Sequence, residues 1–128
     1  MFTDLQKEFI LTELKNNGGF SLKGNDLFFS ESGFSVSLEN YESVLNFDLD
    51  IDKKLIDEVS NKFQVLKDLK LKNALIGGWK DKNKVYIDVS LFVEDKKEAI
   101  KQAKKNNQLA IYDFKNKVSI YKKEFDNI

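Results

Sequence analysis

Lys84-Val85-Tyr86-Ile87-Asp88-Val89-Ser90-Leu91-Phe92-Val93 is the stretch that decides the fold. Successive side chains of an extended chain point to opposite faces. Val85, Ile87, Val89, Leu91 and Val93 therefore share one face, and Tyr86, Asp88, Ser90 and Phe92 share the other. One face is wholly apolar and the other mixed, which predicts a long strand lying on a core. Just upstream, Ala74 to Trp79 is a second apolar run, and Asp81-Lys82-Asn83 supplies turn residues between the two, predicting a hairpin.

Working outward toward the C-terminus, Asp95-x-x-Glu98 opens a third helix that closes at Asn106-Asn107. Two short strands follow, Leu109 to Asp113 and Val118 to Tyr121, around a turn at Lys115-Asn116. On the N-terminal side, Leu55, Ile56, Val59, Phe63 and Leu66 recur at helical spacing and predict a helix lying on a sheet, with Asp52 placed to cap its start.

The chain opens with Thr3-Asp4-Leu5-Gln6, a capping-box pattern, and good helix formers continue to Asn16. Asn17-Gly18-Gly19 then stops the helix. Its apolar residues Phe2, Leu5, Phe9, Ile10, Leu11 and Leu14 spread around most of the circumference, which predicts packing between elements or use against a partner.

Between these two helices, Phe20 to Leu22 and Leu27 to Ser30 flank Lys23-Gly24-Asn25-Asp26 and predict a hairpin. Glu31-Ser32-Gly33 turns the chain, Phe34, Val36 and Leu38 alternate with Ser35 and Ser37, and Tyr41 to Phe47 adds a fourth strand. The order α-ββ(ββ)-α-ββ-α-ββ defines an α+β fold, a mostly antiparallel sheet with three helices on one face. One domain over 1–128 is the simplest organisation, and two subdomains meeting near residue 70 are the alternative.

Composition removes many kinds of chemistry. The chain has 128 residues, 41% of them hydrophobic, with eleven Phe, four Tyr and one Trp, as expected for a globular domain with an aromatic-rich core. It has no Cys and no His, so disulfides, thiolate sites, cysteine nucleophiles and the commonest general base are all excluded. No enzyme, metal site or cofactor is expected. The 21 basic residues are all Lys, and without the forked guanidinium, sequence-specific DNA reading is disfavoured. No apolar run is long enough for a membrane span, and Met1 to Ile10 does not read as a secretion signal, which predicts a cytoplasmic protein.

The net charge of zero conceals a division. Residues 1–60 carry 5 Lys against 12 acids, and residues 61–128 carry 16 Lys against 9. Such a split either marks interaction surfaces or lets the halves attract each other within one fold.

Asp48-Leu49-Asp50-Ile51-Asp52 has the spacing that opens a calcium loop, but Lys53 occupies its glycine position and Val59 that of its closing Glu, which rejects an EF-hand. Gly77-Gly78-Trp79 lacks the Gly-Lys-Ser/Thr of a phosphate loop, and paired glycines in a strand more often mark a bulge or a close backbone approach. Lys97, Lys101, Lys104 and Lys105 share one face of the third helix, as a phosphate-docking surface or an ordinary solvated face. Asp88 and Ser90 form a polar stripe between Tyr86 and Phe92, which reads as solvent-facing; joined by Asp113 they would make the floor of a site.

Gly77-Gly78-Trp79, Val85-Tyr86-Ile87-Asp88-Val89-Ser90, Glu94-Asp95-Lys96-Lys97-Glu98-Ala99 and Asn107-Gln108-Leu109-Ala110-Ile111-Tyr112-Asp113 follow one another in order. This series resembles a family of small accessory proteins of bacteriophages, prophages and plasmids. Weaker similarity continues through Gly18-Gly19-Phe20-Ser21 and Ser32-Gly33-Phe34-Ser35-Val36-Ser37. The resemblance implies a bacterial host and, by genetic neighbourhood, a stoichiometric inhibitor of a host defence system such as a CRISPR effector. The expected contact surface is acidic, made of Glu31, Glu39, Glu42, Asp48 and Asp50. Two alternatives stand beside it: a nucleic-acid-binding accessory protein using the Lys-rich half, and a protein that binds or sequesters a nucleotide. The oligomeric state is open, with a dimer through the first helix as one option.

Overall fold

In a computed structural model describing residues 2–24, 26–71 and 73–127, the alternation of residues 84–93 becomes the central strand of an α+β fold. In chain order the elements are α1 (Asp4–Asn17), β1 (Gly19–Lys23), β2 (Asp26–Leu27), β3 (Phe34–Ser37), β4 (Ser43–Asn46), α2 (Ile51–Leu69), β5 (Ala74–Asp81), β6 (Lys84–Val93), α3 (Lys96–Lys105), β7 (Ala110–Asp113) and β8 (Val118–Tyr121), with a terminal 3-10 turn over Lys122–Asn127. The strands form one sheet in the order β2-β1-β5-β6-β3-β7-β8, with β4 also on β6, and every pairing is antiparallel.

The three helices lie on the same face of the sheet. Val85, Ile87, Ile76, Phe20 and Leu22 pack with Ile10 and Leu14 of α1 and with Leu55, Val59 and Phe63 of α2. Val36, Ile111 and Ile120 pack with Ala99, Ile100 and Ala103 of α3. Each large aliphatic side chain fully buried here contributes roughly 1.5–3 kcal/mol. On α1, Ile10 and Leu14 face this core while Leu5 and Phe9 stay exposed, so its apolar residues serve packing on one side only. No boundary in the sheet falls at residue 70, because β1 pairs with β5 across it.

The helix termini follow local chemistry. Thr3 and Gln6 make the reciprocal capping box, and the Asp95 carboxylate accepts from the Glu98 N–H at 2.9 Å. Asp52 does not cap α2. The helix starts at Ile51, two residues earlier than a cap at Asp52 would place it, which leaves Asp52 in the first turn, where it pairs with Lys15 at 3.0 Å. The cap position belongs to Asp50, whose side chain makes no capping bond.

One strand expectation changes. The segment expected as a strand from Leu27 to Ser30 leaves the sheet after Leu27, and Asn25 of the preceding turn lies outside the described residues. β3 and β4 do not pair with each other; they lie end to end along the same edge of β6. Between Ser37, opposite Ser90, and Ser43, opposite Ile87, five residues on one side face two on the other. Three extra residues is an odd number, so the alternation inverts: Ser37 faces away from the helices and Ser43 faces α2.

Candidate functional site

The sheet face away from the helices is read in rows, since directly opposed residues of antiparallel strands share a face. At one end Val44, Tyr86, Trp79 and Gly19 stand side by side across β4, β6, β5 and β1. Asp88, Gly77 and Ser21 come next, then Ser37, Ser90 and Leu75. Ser119, Tyr112, Ser35 and Phe92 make the far row. Trp79 and Tyr86 stack on each other, with centroids 4.2 Å apart and planes at 13°, and Trp79 stays exposed.

The middle and far rows are covered by the connection from Phe28 to Gly33. It leaves β2 at one edge of the sheet and reaches β3 on the other side of β6, passing over the strands between them. The Phe28 N–H donates to the Ser21 carbonyl at 2.7 Å, and its ring meets those of Phe92 and Phe114 at 5.1 and 5.5 Å. Gly33 fits beneath Phe92, where a Cβ would collide with the ring.

The polar stripe expected to face solvent is buried. Asp88 is only 7% exposed and Ser90 1%. The Ser37 hydroxyl donates to Asp88, and the hydroxyls of Ser35 and Ser90 are hydrogen-bonded at 2.9 Å. Burial pushes the Asp88 carboxyl up to about 6, with the Glu42 charge adding to the rise; the Ser37 bond, a backbone contact with Gly77 and the Lys62 charge act the other way. Gly77 and Gly78 are not a bulge. They lie inside β5, Gly77 beside the Asp88 carboxylate and Gly78 under the Phe20 ring on the opposite face.

Asp113 does not join Asp88 and Ser90. It stands opposite Phe34 on the helix face and holds the turn into β8, accepting from Asn116 and from the Lys115 N–H. Burial pushes its carboxyl up, but those hydrogen bonds, with Lys96 nearby, outweigh it and leave the pKa lowered.

The five acids expected to form the contact surface are all exposed, and they are strung out along the β3–β4 side of β6. Glu31 lies at the end where Ser32 bonds Glu94. Glu39 takes the Asn107 amide at 3.2 Å. Glu42 precedes β4, and Asp48 and Asp50 follow it. Asp48 pairs with Lys54 at 3.0 Å, and that bond lowers its pKa. The four lysines Lys97, Lys101, Lys104 and Lys105 are exposed on the side of α3 away from Ala99, Ile100 and Ala103.

One polar cluster escaped the sequence reading. Lys62, 7% exposed, donates to the Ser43 hydroxyl at 2.7 Å and lies 3.4 Å from Glu58, and Ser43 in turn donates to Glu58 at 2.8 Å. The signal was available: Lys62 falls three residues after Val59 and four before Leu66, on the apolar side of α2. An open groove of about 380 Å³ between α1 and the start of α2 is crossed by the Lys15–Asp52 bridge and lined by charges of both signs. Among the described residues no group of three or more acids gathers as a metal site, and no helix is long and apolar enough to cross a membrane.

The chain matches no protein-family model, no curated protein and no solved structure. Its resemblance to mobile-element accessory proteins is therefore carried forward as a proposal.

Proposed function

We propose that the protein acts by stoichiometric binding without turnover, as a phage or mobile-element product that occupies a host defence protein such as a CRISPR effector. The observation that supports this reading is the acidic margin of the sheet. Glu39, Glu42 and Asp50 are exposed and take part in no ion pair among the described residues. Such a margin suits a basic channel that would otherwise hold nucleic acid. The test is a tagged pull-down from host lysate with and without nuclease, followed by substitution of Glu31, Glu39, Glu42, Asp48 and Asp50 by Lys. A nuclease-resistant stoichiometric partner, lost on charge reversal with the fold intact, is the expected result. Unchanged binding removes the acidic surface from the proposal.

A second reading is favoured by the exposed lysines of α3. Nucleic-acid binding through Lys97, Lys101, Lys104 and Lys105 would weaken steeply with salt as counterions are released. A flat salt response discards it. The nucleotide-sequestering alternative finds less support, because Asp88 and Ser90 are buried and Asp113 is on the other face.

A further inference from the structure

We propose that the outer edge of β4 is a docking site for an extended, Lys- or Arg-rich segment of a partner protein, which adds a strand to the sheet beside Ser43–Asn46. This rests on the protein-binding reading above and names its surface. β6 carries β3 and β4 end to end along one edge. β7 fills the position beside β3 and begins at Ala110, whereas β4 pairs with β6 alone.

The direction of the unused backbone groups follows from the ladder. The Phe47 N–H donates to the Asn83 carbonyl at 2.7 Å, and hydrogen-bonded positions alternate along an antiparallel strand. Leu45 and Ser43 therefore direct their backbone groups at β6. The N–H and C=O of Val44 and the N–H of Asn46 point outward, and they meet no other element among the described residues. An edge of this kind is a template for strand addition.

Charge selects the occupant. Glu39 and Glu42 precede the edge and Asp48 and Asp50 follow it. Of the nearby cations, Lys54 is engaged by Asp48, Lys62 is buried against Glu58, Lys84 is held by the Asn46 amide at 2.6 Å, and Lys80 lies over the Phe47 ring, 4.2 Å from its centroid. The acids left over favour a basic strand. They also oppose a second copy of this chain, since two β4 edges side by side would gather Glu39, Glu42 and Asp50 of both copies along one seam.

The probe is a blocked heptapeptide, KTKVKTK, titrated into isotope-labelled protein, with ETEVETE as control. Binding of the basic peptide should shift the Val44 and Asn46 amides and slow their hydrogen exchange. Val44→Pro removes an outward N–H that the fold does not use, so it should keep the thermal midpoint and weaken the peptide about tenfold or more. Val44→Thr, which keeps that N–H, should bind as the parent does. Equal binding by Val44→Pro, shifts centred elsewhere, or no binding of KTKVKTK would each overturn the inference. A concentration-dependent dimer abolished by Val44→Pro would also overturn it, by giving the edge to a second copy. A host protein captured equally by the parent and Val44→Pro removes the edge but leaves the protein-binding reading. An empty pull-down with the peptide result intact removes only that reading.

Discussion

Gly77 stands directly across the β5–β6 ladder from Asp88, and a Cβ at position 77 would lie 2.6 Å from the Asp88 Oδ1. Gly77→Ala therefore has to turn the carboxylate away from Ser37 inside a covered site. The expected cost is about 1–2 kcal/mol, from overpacking and a strained hydrogen bond. Gly78→Ala meets the buried Phe20 ring instead, at 2.4 Å, and should cost about 2–3 kcal/mol. Urea unfolding of both variants, and of Gly77→Ala combined with Asp88→Ala, measures this. A Gly77→Ala cost unchanged in the Asp88→Ala background would contradict the close approach.

Asp88 and Asp113 give stability opposite dependences on pH. The Asp88 carboxyl titrates in the fold at about 6, above its ordinary 3.8, so the fold favours its protonated form. Its contribution is complete below about pH 4 and is lost as pH rises through about 6. The difference between the two values corresponds to about 3 kcal/mol. Asp113 is lowered, so its contribution is present above the ordinary value and lost as pH falls through the lowered one. The thermal midpoint should rise from pH 8 to pH 5 and fall on further acidification below about pH 4. Asp88→Asn should flatten the upper limb. A midpoint that falls steadily from pH 8 to pH 5 would show that Asp88 is not buried as described.

Lys62 staples α2 to β4 through Ser43 and Glu58. Lys62→Ala strips away both the buried stem and its charge, with an expected cost of about 2 kcal/mol, moderated because Glu58 is partly exposed. Lys62→Met keeps the stem and should cost about half as much. Chemical denaturation midpoints order the two variants, and equal costs would assign the effect to charge alone.

Trp79 and Tyr86 stack across the ladder at the uncovered end of the sheet. A double-mutant cycle with alanine at both positions should return a coupling of about 0.5–1 kcal/mol. Independent, additive losses would mean that the rings do not support each other in solution.

Periodicity made the helices, the β5–β6 hairpin and the apolar face of β6 legible, because each depends on residues near in sequence. Other features turn on residues far apart. The buried hydrogen bonds of Asp88 and Ser90 are made with Ser37 and Ser35, more than fifty residues away in the chain. The inversion between Ser37 and Ser43 depends on a register that only β6 defines. Asp113 reads as a partner for Asp88 by composition, but its pairing with Phe34 puts it on the other face. The Asp52 expectation failed by two residues, since the cap position belongs to Asp50, within the usual uncertainty of a helix start.

The interleaved sheet also sets the order in which the chain can acquire its structure. β1 waits for β5, and β3 and β4 both wait for β6; Leu22 and Ile76 are 54 residues apart, and Phe34 and Val93 are 59. During synthesis, the first 70 residues can form helices and the β1–β2 hairpin, but their other strands have no complement until β5 and β6 follow. The late hairpin then acts as the template on which the early strands assemble. Folding dominated by such distant pairings belongs in the milliseconds-to-seconds range. A fragment ending near residue 70 should stay unstructured beyond its helices and the β1–β2 hairpin, and adding residues up to 93 should restore cooperative unfolding of the larger core.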